Sequence, residues 1–224
     1  MRYAVIVAGG AGTRMGGGIP KQFRNLCGRP VLWWSMKAFH DEAEDTKIIL
    51  VLPKDFITLW DDFFVTLPVH ERIEHQIACG GESRTESVKN GLSLIDDPEA
   101  LVAIHDGARP MVTPDLISRG WTEGQKSGAT VPVIPVTDSL RRKVGNISET
   151  VDRSEYVAVQ TPQVFKVSVL KDAYSIMGEG VFSDDASVVE HAGGRISLYP
   201  GSPHNIKITN PQDMALAKIL LNEP

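Results

Sequence analysis

Cysteine is scarce in this sequence, with Cys27 and Cys79 the two among 224 residues and no metal-ligand spacing between them. That excludes a disulfide framework and a thiolate zinc site, and it suits a reducing cytoplasm in which both read as buried thiols. Histidine is no richer in pattern: His40, His70, His75, His105, His191 and His204 form no HxxxH or HExxH group. Neither a zinc site nor a histidine-centred nucleophile is supported, and Ser35 lacks the G-x-S-x-G elbow. Long apolar runs are missing too. The opening MRYAVIVAGG turns into glycine too soon for a signal segment or a membrane span, so it reads as a first strand and no membrane partner is expected. Basic charge is not in excess, since 23 Lys and Arg face 28 Asp and Glu for a net −5. Nucleic acid is therefore not an expected partner, and a polyanionic ligand would need a local cluster of Lys and Arg.

What the sequence does have is enough core-forming material for one domain over 1–224, at 42% hydrophobic content. Short β-branched runs alternate with longer amphipathic stretches, which predicts an α/β fold, a Rossmann-like three-layer structure with a mostly parallel sheet. Strands are expected at Tyr3 to Val7, Lys47 to Leu52, Ile73 to Ala78, Leu101 to Ile104 and Ala129 to Pro132. Helices are expected at Pro30 to Phe39, Asp55 to Val65, Ser83 to Leu94 with an S-x-x-E capping box, and Thr113 to Lys126. From Val136 to Val159 the pattern changes to polar, β-capable arms around Gly-Asn, which predicts a projecting hairpin. Such an arm buries little on its own, so packing against a second subunit is expected. Two helices, Val167 to Ile176 and Asp184 to His191, two strands, Arg195 to Tyr199 and Asn205 to Ile208, and a helix from Pro211 complete the chain.

Chemistry-bearing residues cluster in a few segments. In AGGAGTRMGGGIPKQF a strand runs into glycines, which lets backbone N–H groups approach phosphate oxygens, and Arg14 and Lys21 add positive charge. The spacing is neither a Walker A loop nor G-x-G-x-x-G, and a glycine-rich turn with solvated cations is the alternative. GGESRTESVKNGL places Gly80, Gly81, Ser83, Arg84 and Ser87 at a strand-to-helix junction, either as a base pocket or as an ordinary capped helix. AIHDGARP ends a buried strand with Asp106, either a turn residue or a Mg²⁺ ligand beyond the carboxyl edge of the sheet. Asp152 and Arg153 are a solvated pair or a recognition element, SDDAS is a helix start, and Lys207 falls on a short strand before the last helix.

These segments, in this order from Val5 to Ala217, resemble the methylerythritol-phosphate cytidylyltransferases, a branch of the sugar nucleotidyltransferases. The carrying motifs are G-x-G-T-R-M-G…P-K-Q, GG-x-x-R-x-x-SV-x-x-GL, H-D-x-A-R-P, D-R…Q-T-P-Q-x-F, S-D-D-A-S-x-x-E and N-I-K-x-T-x-P-x-D. The resemblance implies that Ala8, Gly9, Gly10, Ala11 and Gly12 wrap the triphosphate of CTP, and that Arg14, Lys21 and Lys207 act on its phosphates. It implies that Gly81, Ser83, Ser87, Gly107 and Ala108 hold cytosine and ribose. Asp106 would bind Mg²⁺ or another divalent cation, with Arg84 and Arg109 ordering the site. Asp152, Arg153, Thr161 and Ser183 would bind the phosphate of a polyol phosphate acceptor, with Arg153 reaching across a homodimer formed through the 136–159 arm. The chain departs from the pattern at Gly107, where the family has Ala and the smaller residue should leave room for ribose, and at Arg141, where Lys is frequent. Ribitol 5-phosphate as the acceptor, or a non-catalytic nucleotide-binding module, are the competing readings, and the Asp152-Arg153 pair favours methylerythritol phosphate.

Overall fold

The computed structural model describes residues 1–9, 19–178, 180 and 182–222. Along the chain, β1 (Arg2–Val7) precedes a 3-10 turn at Lys21–Phe23 and a small hairpin of β2 (Asn25–Leu26) and β3 (Arg29–Pro30). Strands and helices then alternate as α1 (Val31–Glu42), β4 (Lys47–Leu52), α2 (Ile57–Thr66), β5 (His75–Cys79), α3 (Arg84–Leu92), β6 (Leu101–Asp106), α4 (Pro114–Ser127) and β7 (Ala129–Pro135). The hairpin β8 (Arg141–Val144) and β9 (Ile147–Thr150) follows, then β10 (Val157–Val159), β11 (Gln163–Lys166), α5 (Val167–Ile176), α6 (Asp185–His191), β12 (Ser197–Pro200) and α7 (Pro211–Asn222).

The central eight-stranded sheet runs β10-β7-β11-β6-β1-β4-β5, with β12 also on β7. Pairing is parallel for β1 with β4 and β6, for β4 with β5, and for β7 with β12. Chain order climbs from β1 through β4 to the β5 edge and then crosses back to β6 on the other side of β1. The crevice between the carboxyl ends of β1 and β6 is thus the topological switch point, where α/β sheets bind ligands. Both faces are covered, which explains why the strands are near-continuous apolar runs. Ala4, Ile6, Leu50 and Ala103 pack under α1, α2 and α4, while Val5, Val51, Val102 and Ile104 pack under α3, α5 and α6.

Three expectations are corrected, and one strand is added to them. Residues 205–208 form no strand. The Ile208 N–H bonds the Ala108 carbonyl at 2.8 Å, and Ile206 and Ile208 pack with Leu26, Val31 and α7 instead of joining a ladder. The arm is shorter than 136–159, because Val157–Val159 pairs with β7 inside the sheet, leaving β8 and β9 as a separate exposed hairpin whose Gly145 takes a φ of 59° at its turn. Strand β11, which no alternating pattern announced, runs antiparallel between β6 and β7. The cysteines are free but exposed, Cys27 on the tight β2-β3 loop beside Gly28, with φ of 49° and 87°, and Cys79 at the end of the edge strand β5.

β10 and β11 run along β7 as one strand interrupted at Gln160-Thr161-Pro162. Val159 lies opposite Val133 and Val164 opposite Thr130, so the interrupted strand spends two more residues than its partner. That extra length carries Thr161 over to the end of β6.

α3 approaches the sheet through Gly91, where a methyl would lie 2.6 Å from Val5 Cγ1 and 2.9 Å from Val51 Cγ2. Gly91→Ala gains about 1 kcal/mol of helix propensity but overpacks two stiff valines, at about 1–3 kcal/mol. A net loss of stability is expected in a urea titration, with the midpoint lowered.

Candidate active site

Asp106 ends β6 opposite Val7, the last residue of β1. Its carboxylate lies beside three cations: Lys207 Nζ at 2.9 Å and Arg109 Nε at 3.4 Å from Oδ2, and Arg84 Nε at 3.9 Å from Oδ1. Burial alone would raise the carboxyl's pKa. The Lys207 charge, with those of Arg84 and Arg109, outweighs it and holds Asp106 well below the usual carboxylate range. The cations come from three separate places: Arg84 opens α3, Arg109 follows the β6 turn, and Lys207 arrives on the segment before α7. Arg109 also donates to the Asn205 carbonyl at 2.8 Å, which ties that segment to the turn, and burial lowers its pKa against the pull of Asp106.

Behind Asp106 lies a buried polar chain. The Asp106 N–H donates to Thr161 Oγ1 at 3.1 Å, and that hydroxyl meets His105 Nδ1 at 3.1 Å. The other ring nitrogen of His105, Nε2, faces the Arg109 carbonyl at 3.2 Å. A carbonyl only accepts, so Nε2 carries the proton and Thr161 donates to Nδ1. Complete burial pushes His105 down to about 4, with the Asp106 charge opposing, so the ring is neutral at pH 7. Asn205, fully buried, donates to the Thr161 carbonyl at 2.8 Å and anchors the same network.

The other predicted nucleotide residues gather at the mouth of β1. Ala8 extends the β1-β4 pairing through its N–H to Val51, and the buried Gln22 side chain donates to the Ala8 carbonyl, which draws the Pro20-Lys21-Gln22 turn against the end of β1. A methyl on Gly9 would lie 2.9 Å from Ser87 Oγ, so the β1 loop and α3 touch. Ser87 Oγ accepts from the Gly81 N–H at 3.1 Å and donates to the Ser83 carbonyl at 2.9 Å. Ser83 caps α3 by accepting from the Glu86 N–H, while Glu86 reaches back to the Glu82 N–H and not to that of Ser83, as a closed capping box would. Gly107 donates to the Val7 carbonyl, and the space its missing methyl leaves is filled by Leu32 Cδ1 at 2.8 Å. That room therefore goes to core packing and not to ribose. Ala108 is buried and accepts from Ile208.

Arg14, Gly10, Ala11 and Gly12 lie outside the described residues. Of the predicted acceptor residues, Thr161 joins the cluster, with its hydroxyl bound as above. Ser183 is exposed beside Asp184, which is the residue that caps α6. Asp152 and Arg153 do not pair with each other: Asp152 accepts from the Ser154 N–H and hydroxyl, which lower its pKa, and Arg153 donates to the Thr137 carbonyl from an exposed turn. Sequence reading gave no role to His105, Gln22 or Asn205. Their signal was their place inside H-D-x-A-R-P, P-K-Q and N-I-K.

Burial lowers the pKa of His105 and of the partly buried His75, so the fold favours the neutral ring of each. Below the ordinary histidine value the unfolded chain binds protons that the folded chain does not. Stability is complete above about pH 6.5 and falls below it, by up to about 1.4 kcal/mol per pH unit from His105 down to about pH 4, with His75 acting in the same direction. Urea midpoints measured at pH 7, 6 and 5 should show this slope, and His105→Gln should flatten it.

Comparison with known proteins identifies the family. A family model described as "IspD: 2-C-methyl-D-erythritol 4-phosphate cytidylyltransferase" matches residues 3–223. A protein of that name from Phocaeicola vulgatus is 45% identical over 98% of this chain and 99% of its own. Another, from Bacteroides fragilis, is 46% identical with the same coverage. Among solved structures, the 2-C-methyl-D-erythritol 4-phosphate cytidylyltransferase of Thermus thermophilus superposes with a TM-score of 0.78 at 33% identity, covering 98% of both chains. The 4-diphosphocytidyl-2C-methyl-D-erythritol synthase of Anaerococcus prevotii reaches 0.84 at 25% identity, covering 99% of this chain and 96% of that one. The chain belongs to the 2-C-methyl-D-erythritol 4-phosphate cytidylyltransferase family.

Proposed function

We propose that the Asp106 cluster is the catalytic centre of an enzyme that converts CTP and 2-C-methyl-D-erythritol 4-phosphate to 4-diphosphocytidyl-2-C-methyl-D-erythritol and pyrophosphate, a step of non-mevalonate isoprenoid synthesis. The activity rests on family membership. The observation that carries the placement is that Arg84, Arg109 and Lys207 converge at the switch point of a chain whose net charge is −5.

An oxygen of the acceptor's phosphate forms a bond to the α-phosphorus of CTP, and the bond to the bridging oxygen breaks to release pyrophosphate. The nucleophile is already an anion at neutral pH, so the chain need supply no general base. Its task is positioning and charge stabilisation, worth several kcal/mol for each well-placed group. Lys21, brought against the end of β1 by Gln22, suits the α-phosphate, and family resemblance adds Arg14. Lys207, 42% exposed, has room to turn from Asp106 to a phosphate oxygen.

The described residues hold no group of three or more candidate metal ligands. A single ionised Asp106 fits Mg²⁺ delivered with the triphosphate, which supplies the other hard oxygens with water, and does not fit a preformed cage. When bound there, the ion would supply charge neutralisation at the phosphates.

The acceptor's phosphate falls to Asp152, Arg153, Thr161 and Ser183 by family resemblance, with Arg153 supplied across a homodimer. Support comes from the arm, where Val144 and Ile147 are 42% and 69% exposed and Tyr156, Val157 and Val159 beside it are also uncovered. A two-stranded hairpin with uncovered apolar side chains needs a partner surface. Two free, exposed thiols fit a reducing cytoplasm.

A pyrophosphate-release assay crossing CTP, UTP and ATP with methylerythritol phosphate and ribitol 5-phosphate tests the reaction. CTP with methylerythritol phosphate should dominate, and faster turnover with ribitol 5-phosphate would sink this reading. In that assay Lys21→Ala should lower kcat by about 100-fold or more. Sedimentation should find a dimer, and Ile147→Asp should weaken it and reduce turnover at low protein concentration, where an unchanged dimer would contradict the role of the arm.

A further inference from the structure

The geometry points to Asp185 as a positioning residue for the transfer reaction, holding the Arg84 guanidinium in the orientation that faces Asp106. Asp185 opens α6 and is completely buried. Its Oδ2 accepts from Arg84 Nη2 at 2.6 Å and its Oδ1 from the Tyr174 hydroxyl at 2.6 Å. The remaining edge of Arg84 then lies with Nε 3.9 Å from Asp106 Oδ1, so one guanidinium spans two carboxylates. Burial would weaken the positive charge of Arg84, and Asp185 more than offsets this, raising its pKa.

Asp185 is itself fixed from the sheet. Gln163 Oε1 accepts from the Asp185 and Ala186 N–H groups, each at 3.1 Å, and Gln163 Nε2 donates to Asp184 at 2.7 Å. Gln163 sits opposite Ile104, two residues before Asp106 on the neighbouring strand. The second glutamine of Q-T-P-Q and the acids of S-D-D-A-S thus form a rigid bracket that begins and ends at the same stretch of β6. A buried carboxylate on structural duty alone would not need to aim a cation at Asp106. Arg suits the task because its planar fork carries donors on separate nitrogens, so Nη2 and Nε can face two carboxylates, whereas an ammonium offers one nitrogen.

The inference rests on Asp106 as the catalytic centre, and the test separates the two claims. Asp106→Asn should cost at least about 100-fold in kcat/KM, as for a lost transition-state group. If it leaves kcat/KM unchanged, the placement of the site fails whatever Asp185 does. Asp185→Asn and Arg84→Gln should each lower kcat/KM by about 10-fold or more, and together by no more than about 3-fold beyond the worse single variant, the coupling expected of residues acting through one group. Tyr174→Phe removes the other bond to the same carboxylate. It should lower the Tm while leaving kcat/KM within about 3-fold of the wild type. Independent, multiplying losses for Asp185 and Arg84, or a loss in Tyr174→Phe as large as in Asp185→Asn, overturn the assignment. Should Asp185→Asn fail to fold, Arg84→Lys carries the test, since it keeps the charge but cannot span both carboxylates. Wild-type kcat/KM in that variant overturns it.

Discussion

The parallel pairing of β1 with β6 sets Val7 opposite Asp106, and every other feature of the site is built outward from that one register. It brings the end of β1, where the glycine-rich segment begins, and the carboxylate at the β6 terminus to the same crevice, at the point where the connections reverse direction. A shift by one residue would turn Asp106 to the opposite face of the sheet. The register is held from both sides, by Gly107 bonding the Val7 carbonyl and by Thr161 accepting from the Asp106 N–H.

The second constraint is electrostatic. A carboxylate in this degree of burial would ordinarily be protonated or expelled. Here Lys207, Arg84 and Arg109 keep it charged, and it in turn lets three cations sit within one pocket of an acidic protein. Each partner is conditional on the other. The two carboxylates, Asp106 and Asp185, leave these three cations with one unbalanced positive charge, on which the proposed phosphate site would draw. His105 contributes by staying uncharged, since a proton on it would compete with the cations for Asp106.

Much of this was legible in the residues. Apolar runs bounded by glycine and acid gave the parallel strands because both sheet faces are buried, and Ser83 and Thr113 announced α3 and α4 through cap chemistry that depends only on local spacing. The convergence of Arg84, Asp106, Arg109 and Lys207 came through family motifs, not local physics. Three things escaped. β11 is four residues long and follows proline, so no period is visible. Residues 205–208 look like a strand but are held by local turn bonds from Asn205 and Ile206, by the Ile208 bond to Ala108 and by packing under α7. Asp185 and Gln163 read as a helix start and a polar strand residue, because nothing in sequence spacing says that Arg84, 101 residues away, is the partner of Asp185, or that Gln163 bonds the start of α6.

The most direct test is a crystal structure of the chain with CTP and Mg²⁺. The account predicts the triphosphate in the crevice between β1 and β6, with Lys207 turned from Asp106 onto a phosphate oxygen and Lys21 within hydrogen-bond distance of the α-phosphate. A triphosphate bound elsewhere, with the Lys207 to Asp106 pair still closed, would contradict it.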